Sequence, residues 1–296
     1  MISLNSKGNV LVFDEKSYTD SSKRLNLRSR DGNLVTTLNK LDEVYIIWHY
    51  EDDSELFKLV CLVSSIRNIN WGMKVYLYLP YVPYARMDRV ESEEDVFTLK
   101  YFANIINSLR FDKVIVLDPH SRVSLALFDR CIEDLPELEL LVSKAITFIQ
   151  RNSDQPITIM FPDRGAYERY TSTLKNVFKQ YGISSFIYGE KRRNWETSKI
   201  ESFEIKSSGE VNLQNVLLID DIYSSGSTMK KCIDVIKPLV SCDIYIYCTH
   251  TEIASYRERK LDVVLPDITT YFTSPNPLHT LNLDQPLYPS DSVILL

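Results

Sequence analysis

Short apolar runs alternate with helical patterns along most of the 296-residue chain, and this alternation limits its possible folds more than any other feature. Short apolar runs are typical of strands buried on both faces, and apolar residues recurring every three or four positions indicate covering helices. We predict strands at residues 44–48, 74–79, 113–117, 157–161, 185–188, 215–219 and 243–248. We predict helices at residues 54–69, 97–108, 135–150, 166–180 and 227–236. Because the pattern restarts after residue 150, we expect an α/β protein of two similar domains, each a mainly parallel sheet flanked by helices.

The composition excludes several classes of protein. The chain carries 34 Lys and Arg against 40 Asp and Glu, a net charge of −6, which argues against a general nucleic-acid coat. No apolar run approaches the roughly 20 residues of a membrane-spanning helix, and residues 1–14 show no secretory signal pattern. The five cysteines have no Cys-x-x-Cys spacing, which disfavours a disulfide framework or a zinc site. We therefore expect a soluble cytoplasmic protein without a nucleic-acid or membrane partner.

The strongest local signal follows the predicted strand at residues 215–219, where the chain reads Asp-Asp-Ile-Tyr-Ser-Ser-Gly-Ser-Thr. Amide N–H groups at the start of a helix bind anions, and serine and threonine hydroxyls add further donors. Two adjacent carboxylates at a strand end can hold sugar hydroxyls, either directly or through Mg²⁺. The candidate ligand-binding residues are Asp220, Asp221, Ser224, Ser225, Gly226, Ser227 and Thr228. The alternative is an ordinary capped turn between a strand and a helix, in which serine and aspartate are common.

This pattern resembles the phosphoribosyl-diphosphate-binding motif of type I phosphoribosyltransferase folds. Two N-terminal segments narrow the resemblance: Leu-Pro-Tyr-Val-Pro-Tyr-Ala-Arg-Met-Asp-Arg at residues 79–89 and Leu-Asp-Pro-His-Ser at residues 117–121. Both closely resemble segments of the ribose-phosphate diphosphokinases, and transferases of this fold lack them. The resemblance implies two phosphoribosyltransferase-like domains, with ATP bound by residues 1–143 and ribose phosphate bound by residues 144–296. It leaves open that the last residues pack back on the N-terminal domain.

The N-terminal segments are implied to bind the nucleotide. The resemblance places Arg86, Met87 and Asp88 against ATP, and it makes His120 a ligand of the accompanying Mg²⁺. A guanidinium offers planar paired donors to phosphates. Met87 replaces the glutamine that the family usually has, so an apolar contact takes the place of a polar one. The residues alone leave alternatives open: Asp88 and Arg89 can form a structural ion pair, and a lone histidine is often a packed or capping residue.

The C-terminal half carries two further segments of the family. Phe-Pro-Asp-Arg-Gly at residues 161–165 resembles the PDxGG segment, which implies that Asp163 binds metal and ribose. Residues 188–194 resemble the start of the family's mobile catalytic loop, which implies that Lys191 and Arg193 close over the site as a lid. Catalysis of phosphoryl transfer is largely positioning and charge neutralisation, which two cations can supply. A solvated basic turn is the alternative interpretation.

The family's activity is the transfer of the β,γ-diphosphoryl group of MgATP to the C1 hydroxyl of ribose 5-phosphate. The resemblance therefore implies ATP as co-substrate, Mg²⁺ as cofactor and a homo-oligomer, either a dimer or a hexamer. A second hypothesis keeps the chemistry but takes ADP-ribose as acceptor, giving ADP-ribose diphosphate for NAD salvage. It is prompted by Ser224, where the family usually has an acid, and by Ser227, where it usually has glycine. A non-catalytic regulator and a phosphoribosyltransferase are further, less favoured hypotheses.

Overall fold

The chain divides into two compact units, residues 1–134 and residues 135–296. The structure, a computed structural model, describes residues 2–5, 11–19, 22–29, 32–193, 200–208, 211, 213–239, 243–252, 268–274 and 293–295. The predicted boundary at 143/144 falls inside a helix, whereas the observed boundary precedes that helix. The helix belongs as a whole to the second unit, where the ring of Phe148 packs edge-on against Phe272 with 5.4 Å between ring centroids.

The first unit is built on a five-stranded sheet with the order β1-β4-β5-β6-β7. The last four of these strands are parallel, and β1 is antiparallel to β4. The sheet strands are β1 (Ile2–Asn5), β4 (Glu43–Trp48), β5 (Lys74–Leu79), β6 (Lys113–Val116) and β7 (Cys131–Glu133), and a separate hairpin pairs β2 (Leu11–Ser17) with β3 (Lys23–Ser29). The helices are α1 (Leu34–Asn39), α2 (Ser54–Ile69), α3 (Thr98–Ser108) and α4 (Arg122–Leu127). Fully buried side chains of β4 and β5 pack with the apolar face of α2 in one core.

The second unit is built on a seven-stranded sheet with the order β10-β9-β8-β11-β12-β13-β14, parallel except for the β9–β10 pair. Its strands are β8 (Ile157–Phe161), β9 (Phe186–Arg193), β10 (Ile200–Ser208), β11 (Asn215–Tyr223), β12 (Ile244–Thr251), β13 (Thr270–Thr273) and β14 (Val293–Leu295). Its helices are α5 (Leu135–Asn152), α6 (Arg164–Thr173), α7 (Lys175–Gln180) and α8 (Ser227–Ile236). The last described strand thus pairs within this sheet.

The strand order of the second sheet reverses at the β8–β11 pair. From β8 the chain moves outward to β9 and β10, and it then returns to place β11 on the other side of β8. In open α/β sheets, such a reversal leaves a crevice at the carboxyl ends of the two strands, where ligands bind. The turn that contains Asp163 and the loop from Ser224 to Thr228 both leave the sheet at this crevice.

Several predicted elements differ from the observed ones, among them the strand predicted at residues 243–248, which is observed as Ile244–Thr251. The helix predicted at residues 166–180 is interrupted at Leu174 and forms α6 and α7. The strand predicted at residues 215–219 continues to Tyr223, because β12 pairs with it along this length. The strand predicted at residues 185–188 continues to Arg193, because β10 pairs with it in an antiparallel hairpin. No helix in the described part of the chain is long and apolar enough to cross a membrane.

Gly226 shapes the loop between β11 and α8. It has a φ of +72°, in the left-handed region that favours glycine, and it lies just before the first residue of α8. A Cβ atom at this position would lie 2.5 Å from the hydroxyl oxygen of Tyr223, which is buried at the end of β11. The loop backbone therefore lies directly on the tyrosine ring, and both the backbone angle and the available space require glycine.

We expect Gly226→Ala to destabilise the protein by more than the cost of its backbone angle. Gly182→Ala is the matched control, since Gly182 has a φ of +67° but no atom within 4 Å of an added Cβ. The control should lower the free energy of unfolding by about 1–2 kcal/mol, and Gly226→Ala by a further ~1–3 kcal/mol from overpacking. Urea unfolding measures both values. Equal losses of the free energy of unfolding would contradict the steric explanation. Adding Tyr223→Phe to Gly226→Ala should recover part of the extra loss, because it removes the hydroxyl oxygen that the added Cβ meets.

Candidate functional site

Two loops of the first unit meet at the carboxyl edge of its sheet. The loop after β5 and the turn after β6 are joined by a hydrogen bond from the Leu117 amide to the Pro80 carbonyl oxygen at 3.2 Å. Each contains a residue with positive φ that is not glycine: Tyr84 at +62° and Asp118 at +41°. Such angles cost free energy and persist where surrounding contacts impose them, which is common at functional sites. The structure thus brings together the two N-terminal segments that the sequence singled out.

Asp88 connects these two segments through its side chain. The residue is buried, and its carboxylate accepts a hydrogen bond from Arg89 Nε at 2.8 Å and another from Ser121. Burial alone would raise the pKa of Asp88, but the bonds from Arg89 and Ser121 and the positive charges of Arg89 and His120 outweigh it. The pKa is therefore lowered from its ordinary value. The ion pair considered as an alternative is present, and the hydrogen bond from Ser121 ties Asp88 to the turn that carries His120.

The other predicted nucleotide-binding residues are at least partly accessible to solvent. Arg86 and Met87 are exposed, with 47% of Met87 accessible, and His120 is half-buried at the end of its turn. The backbone of Met87 is anchored by a hydrogen bond from its amide to the Tyr84 carbonyl oxygen at 2.8 Å. Arg86 and Met87 therefore lie on an anchored stretch of backbone at the carboxyl edge of the sheet, while Asp88 points inward.

Asp163 begins the second site as the N-terminal cap of α6. Its Oδ1 accepts a hydrogen bond from the Ala166 amide at 3.0 Å, and the residue is half-buried. This bond fixes the turn that leaves β8 at the strand-order reversal. A carboxylate has about four acceptor positions, so one capping bond is compatible with a further role for Asp163 in ligand binding.

Asp220 and Asp221 lie within β11 rather than after it. The Asp221 amide donates to Asp220 Oδ1 at 3.0 Å, and Asp221 itself is buried. Although Asp220 is partly exposed, protein atoms surround its carboxyl group. This desolvation raises its pKa well above the ordinary value, and the Asp221 carboxylate adds to the rise. Two carboxyl groups are thus held side by side at the edge of the crevice.

The segment from Ser224 to Thr228, whose last two residues are the first two of α8, places hydroxyl groups around the start of that helix. Ser225 and Ser227 are exposed, and Ser225 Oγ donates to Ser227 Oγ at 3.1 Å and accepts from the Ser227 amide at 3.4 Å. Gly226 precedes α8 and offers no side chain to cap it. The N-cap residue makes no side-chain bond to the first turn of α8, and the serine hydroxyls around that turn suit it to an anion such as a phosphate.

Arg169, on α6, is a residue of this site that the sequence reasoning missed. Its Nη2 lies 3.8 Å from Asp221 Oδ1, and both side chains are largely buried. The sequence offered one signal for the role of Arg169: it lies in the helix predicted at residues 166–180, which follows the Asp163 turn. Only the folded structure, in which α6 packs against β8 and β9 beside β11, shows which carboxylate it meets.

Lys191 and Arg193 were predicted to begin a lid loop, and the structure instead places their backbone in β9. Lys191 pairs with Phe203 and Arg193 with Ile200 in the antiparallel ladder to β10. The ladder extends the strand through both residues. The positions of the two side chains lie outside what the structure describes, as do residues 194–199.

The described residues are compatible with a Mg²⁺ site of the kind found in nucleotide enzymes, in which substrate phosphates and waters supply most of the ligands. In the described part of the chain, no three His, Cys, Asp or Glu side chains converge on one point. Mg²⁺ commonly keeps several waters and binds substrate phosphates together with one or two carboxylates. The carboxylate of Asp163 fits this pattern, whereas the nitrogen ligand of His120 is less suited to a hard cation.

Comparisons with known proteins agree with this arrangement. The family model described as "Phosphoribosyl transferase domain" matches residues 131–279, half of the chain. The ribose-phosphate pyrophosphokinase of Pyrococcus furiosus is 24% identical over 253 residues, which cover 84% of this chain and 85% of that protein. The corresponding protein of Pyrococcus abyssi is 21% identical over 276 residues, covering 93% and 89%.

A solved structure confirms the predicted fold class. The crystal structure of phosphoribosylpyrophosphate synthetase from Mycobacterium smegmatis superposes with a TM-score of 0.66 at 14% identity, covering 97% of this chain and 86% of that one. With the matching family model, this likeness supports phosphoribosyltransferase-like sheets flanked by helices. The chain therefore belongs to the phosphoribosyl transferase domain family and, within it, to the ribose-phosphate diphosphokinases.

Proposed function

We propose that this protein transfers the β,γ-diphosphoryl group of MgATP to the C1 hydroxyl of ribose 5-phosphate. The hydroxyl oxygen attacks the β-phosphorus, and the bond from that phosphorus to the α,β-bridging oxygen breaks. AMP leaves, the hydroxyl proton passes to solvent, and phosphoribosyl diphosphate is formed. The names of the Pyrococcus relatives support this reaction.

The observation that carries the proposal is the junction of the two loops in the first unit. The Asp88 and Pro80 contacts unite the segments at residues 79–89 and 117–121 at the edge of a sheet outside the matched transferase domain. A phosphoribosyltransferase needs one site for its diphosphate sugar, and it has no use for this additional one. An enzyme that also binds ATP does need it.

The two units supply different parts of the reaction in this proposal. In the first unit, Arg86 binds phosphate oxygens, Met87 contacts the nucleotide, and Asp88 holds the turn with His120 in place. In the second unit, Asp163, Asp220 and Asp221 face the sugar hydroxyls. The ribose 5-phosphate group binds at the loop of Ser224, Ser225, Gly226, Ser227 and Thr228.

Charge neutralisation completes the proposed site. The cations of Lys191 and Arg193 would stabilise the diphosphoryl group during transfer, since its charge lies on the oxygens around phosphorus. Mg²⁺ bound with ATP would neutralise charge on the phosphate oxygens, and the resemblance implies metal-binding roles for His120 in the first unit and for Asp163 in the second. The same resemblance implies a homo-oligomer, and sedimentation analysis would distinguish a dimer from a hexamer.

The reaction itself is the first test. With ATP, Mg²⁺ and ribose 5-phosphate, we expect AMP and phosphoribosyl diphosphate in equal amounts, measured by mass spectrometry. Lys191→Ala should lower kcat by about 10²–10³-fold, the range for removing one group that stabilises transition-state charge. Lys175→Ala, which removes an exposed lysine at the start of α7, should leave kcat unchanged. Turnover that survives Lys191→Ala would point to a contaminating enzyme, and no AMP from the wild type would refute the proposal.

Nucleotide binding by the first unit is a separate prediction. Arg86→Ala should raise the KM for ATP by about 10-fold or more, because a charge-assisted hydrogen bond contributes about 1.5–3 kcal/mol. The KM for ribose 5-phosphate should stay within about twofold. Arg24→Ala, which alters an exposed arginine on β3, is the control and should change neither constant. A rise confined to the KM for ribose 5-phosphate would indicate that Arg86 binds the sugar and not ATP, which would contradict the prediction.

The acceptor is the remaining choice, and ADP-ribose is the second candidate. Ser224 replaces the usual acid, and the exposed hydroxyls of Ser225 and Ser227 border the proposed phosphate site, which are features compatible with a phosphodiester. We expect a higher kcat/KM with ribose 5-phosphate when both acceptors are assayed at equal ATP. A higher value with ADP-ribose would reassign the acceptor without changing the chemistry.

The same assays distinguish the two remaining hypotheses. A phosphoribosyltransferase would consume phosphoribosyl diphosphate with a nucleobase in the absence of ATP. A non-catalytic regulator would bind nucleotide but release no AMP with either acceptor.

A further inference from the structure

Arg169 is held rigidly beside the acidic pair of the second unit. Its guanidinium carbon lies 4.3 Å from the ring centroid of Tyr170, and that ring stacks on Phe161 at 5.9 Å with an interplanar angle of 11°. Arg169 Nη2 lies 3.8 Å from Asp221 Oδ1, and only 19% of the Arg169 side chain and 7% of the Asp221 side chain are exposed. A charged group on an aromatic face has few alternative positions, so this contact is well defined.

The acidic pair needs such a partner. Asp220 and Asp221 are neighbours in the chain, and both are close to the protein interior, where like charges repel strongly. The attraction of Arg169 opposes the rise in the pKa of Asp220 that burial and Asp221 cause. A separation of 3.8 Å is an ion-pair distance rather than a short hydrogen bond, so Arg169 acts on the pair mainly through its charge.

One helix also supports both sides of the crevice. Asp163 caps the first turn of α6, and Arg169 lies further along the same helix, facing β11. A shift of α6 would therefore move the Asp163 turn and the charge facing Asp221 together.

We propose that Arg169 is a positioning residue for sugar binding: it holds the Asp221 carboxylate in the orientation that receives the ribose hydroxyls. The inference rests on the proposed function, because it assigns ribose phosphate to this crevice. Arg169 acts through Asp221 and makes no contact with the reacting atoms. Its loss should therefore weaken sugar binding and leave nucleotide binding unchanged.

Arg169→Met is the direct test, since it removes the charge and keeps much of the side-chain volume. The KM for ribose 5-phosphate should rise by about 10- to 100-fold, by analogy with the loss of a group that orients a metal ligand, while the KM for ATP changes by less than about twofold. Arg169→Lys should recover part of the loss, because it restores the charge without the planar group. Arg164→Met is the matched control on the same helix, where Arg164 is 68% exposed and pairs with Glu168 at 2.8 Å. It should change neither KM.

A double-mutant cycle shows whether the effect passes through Asp221. In an Asp221→Asn background, Arg169→Met should weaken binding of phosphoribosyl diphosphate, measured by calorimetry, by much less than in the wild type. Full additivity would overturn the proposal, as would an equal rise in both KM values. If Arg169→Met does not fold, Arg169→Gln, which also removes the charge, carries the same cycle, with a raised sugar KM supporting the proposal and an unchanged one overturning it.

Failure of this inference is distinguishable from failure of the proposed function. A wild-type protein that neither turns over nor binds phosphoribosyl diphosphate would overturn both. A wild-type protein that does both, with Arg169→Met equal to it, would overturn the role of Arg169 alone.

Discussion

The reversal of strand order between β8 and β11 is the constraint on which the second unit depends. It separates the connections that leave these two strands, so polar groups can line a crevice without disturbing the apolar interior of the sheet. Two carboxyl groups of β11 are then held next to a fully packed core, and this is costly unless a charge of opposite sign is near. The ion pair between Arg169 and Asp221 supplies that charge from the helix on the neighbouring connection. The same helix, α6, therefore begins at the Asp163 turn of the crevice and supplies the positive charge beside Asp221.

The first unit reaches a similar result by different means. Its parallel strands follow one another in sequence order, so no reversal opens a crevice among them. Its two loops are joined by direct contacts. One is the backbone hydrogen bond from Leu117 to Pro80, and the other is the hydrogen bond that the buried Asp88 carboxylate accepts from Ser121. The strained backbone at Tyr84 and Asp118 shows how tightly these loops are held. The chain, a member of the ribose-phosphate diphosphokinases, therefore has polar loops at the carboxyl edge of each of its two sheets.

Much of this organisation could be predicted from the sequence, because local pattern determines it. The bounds of α2, β5, β8 and α8 match the predicted ones, since each has a clear apolar period and a clear end. The edge strand β10 was not predicted, although it forms a hairpin with the neighbouring β9. The edge strand β1 was not predicted because its partner β4 is distant in sequence. The inward orientation of Asp88 and the contact of Arg169 with Asp221 were missed for the same reason. Both depend on packing between segments that no local pattern relates.

The contact between Gly226 and Tyr223 has a consequence for how this chain can change. Every single-nucleotide missense change of a glycine codon introduces a residue with a Cβ atom, and each would meet the tyrosine hydroxyl at the same point. The flanking residues Ser225 and Ser227 are exposed, and their side chains can be exchanged without such a collision. Substitutions in this loop are therefore tolerated at the exposed Ser225 and Ser227, whereas any substitution of Gly226 would disturb the backbone. At the proposed phosphate site, side chains can therefore change while the backbone path stays the same.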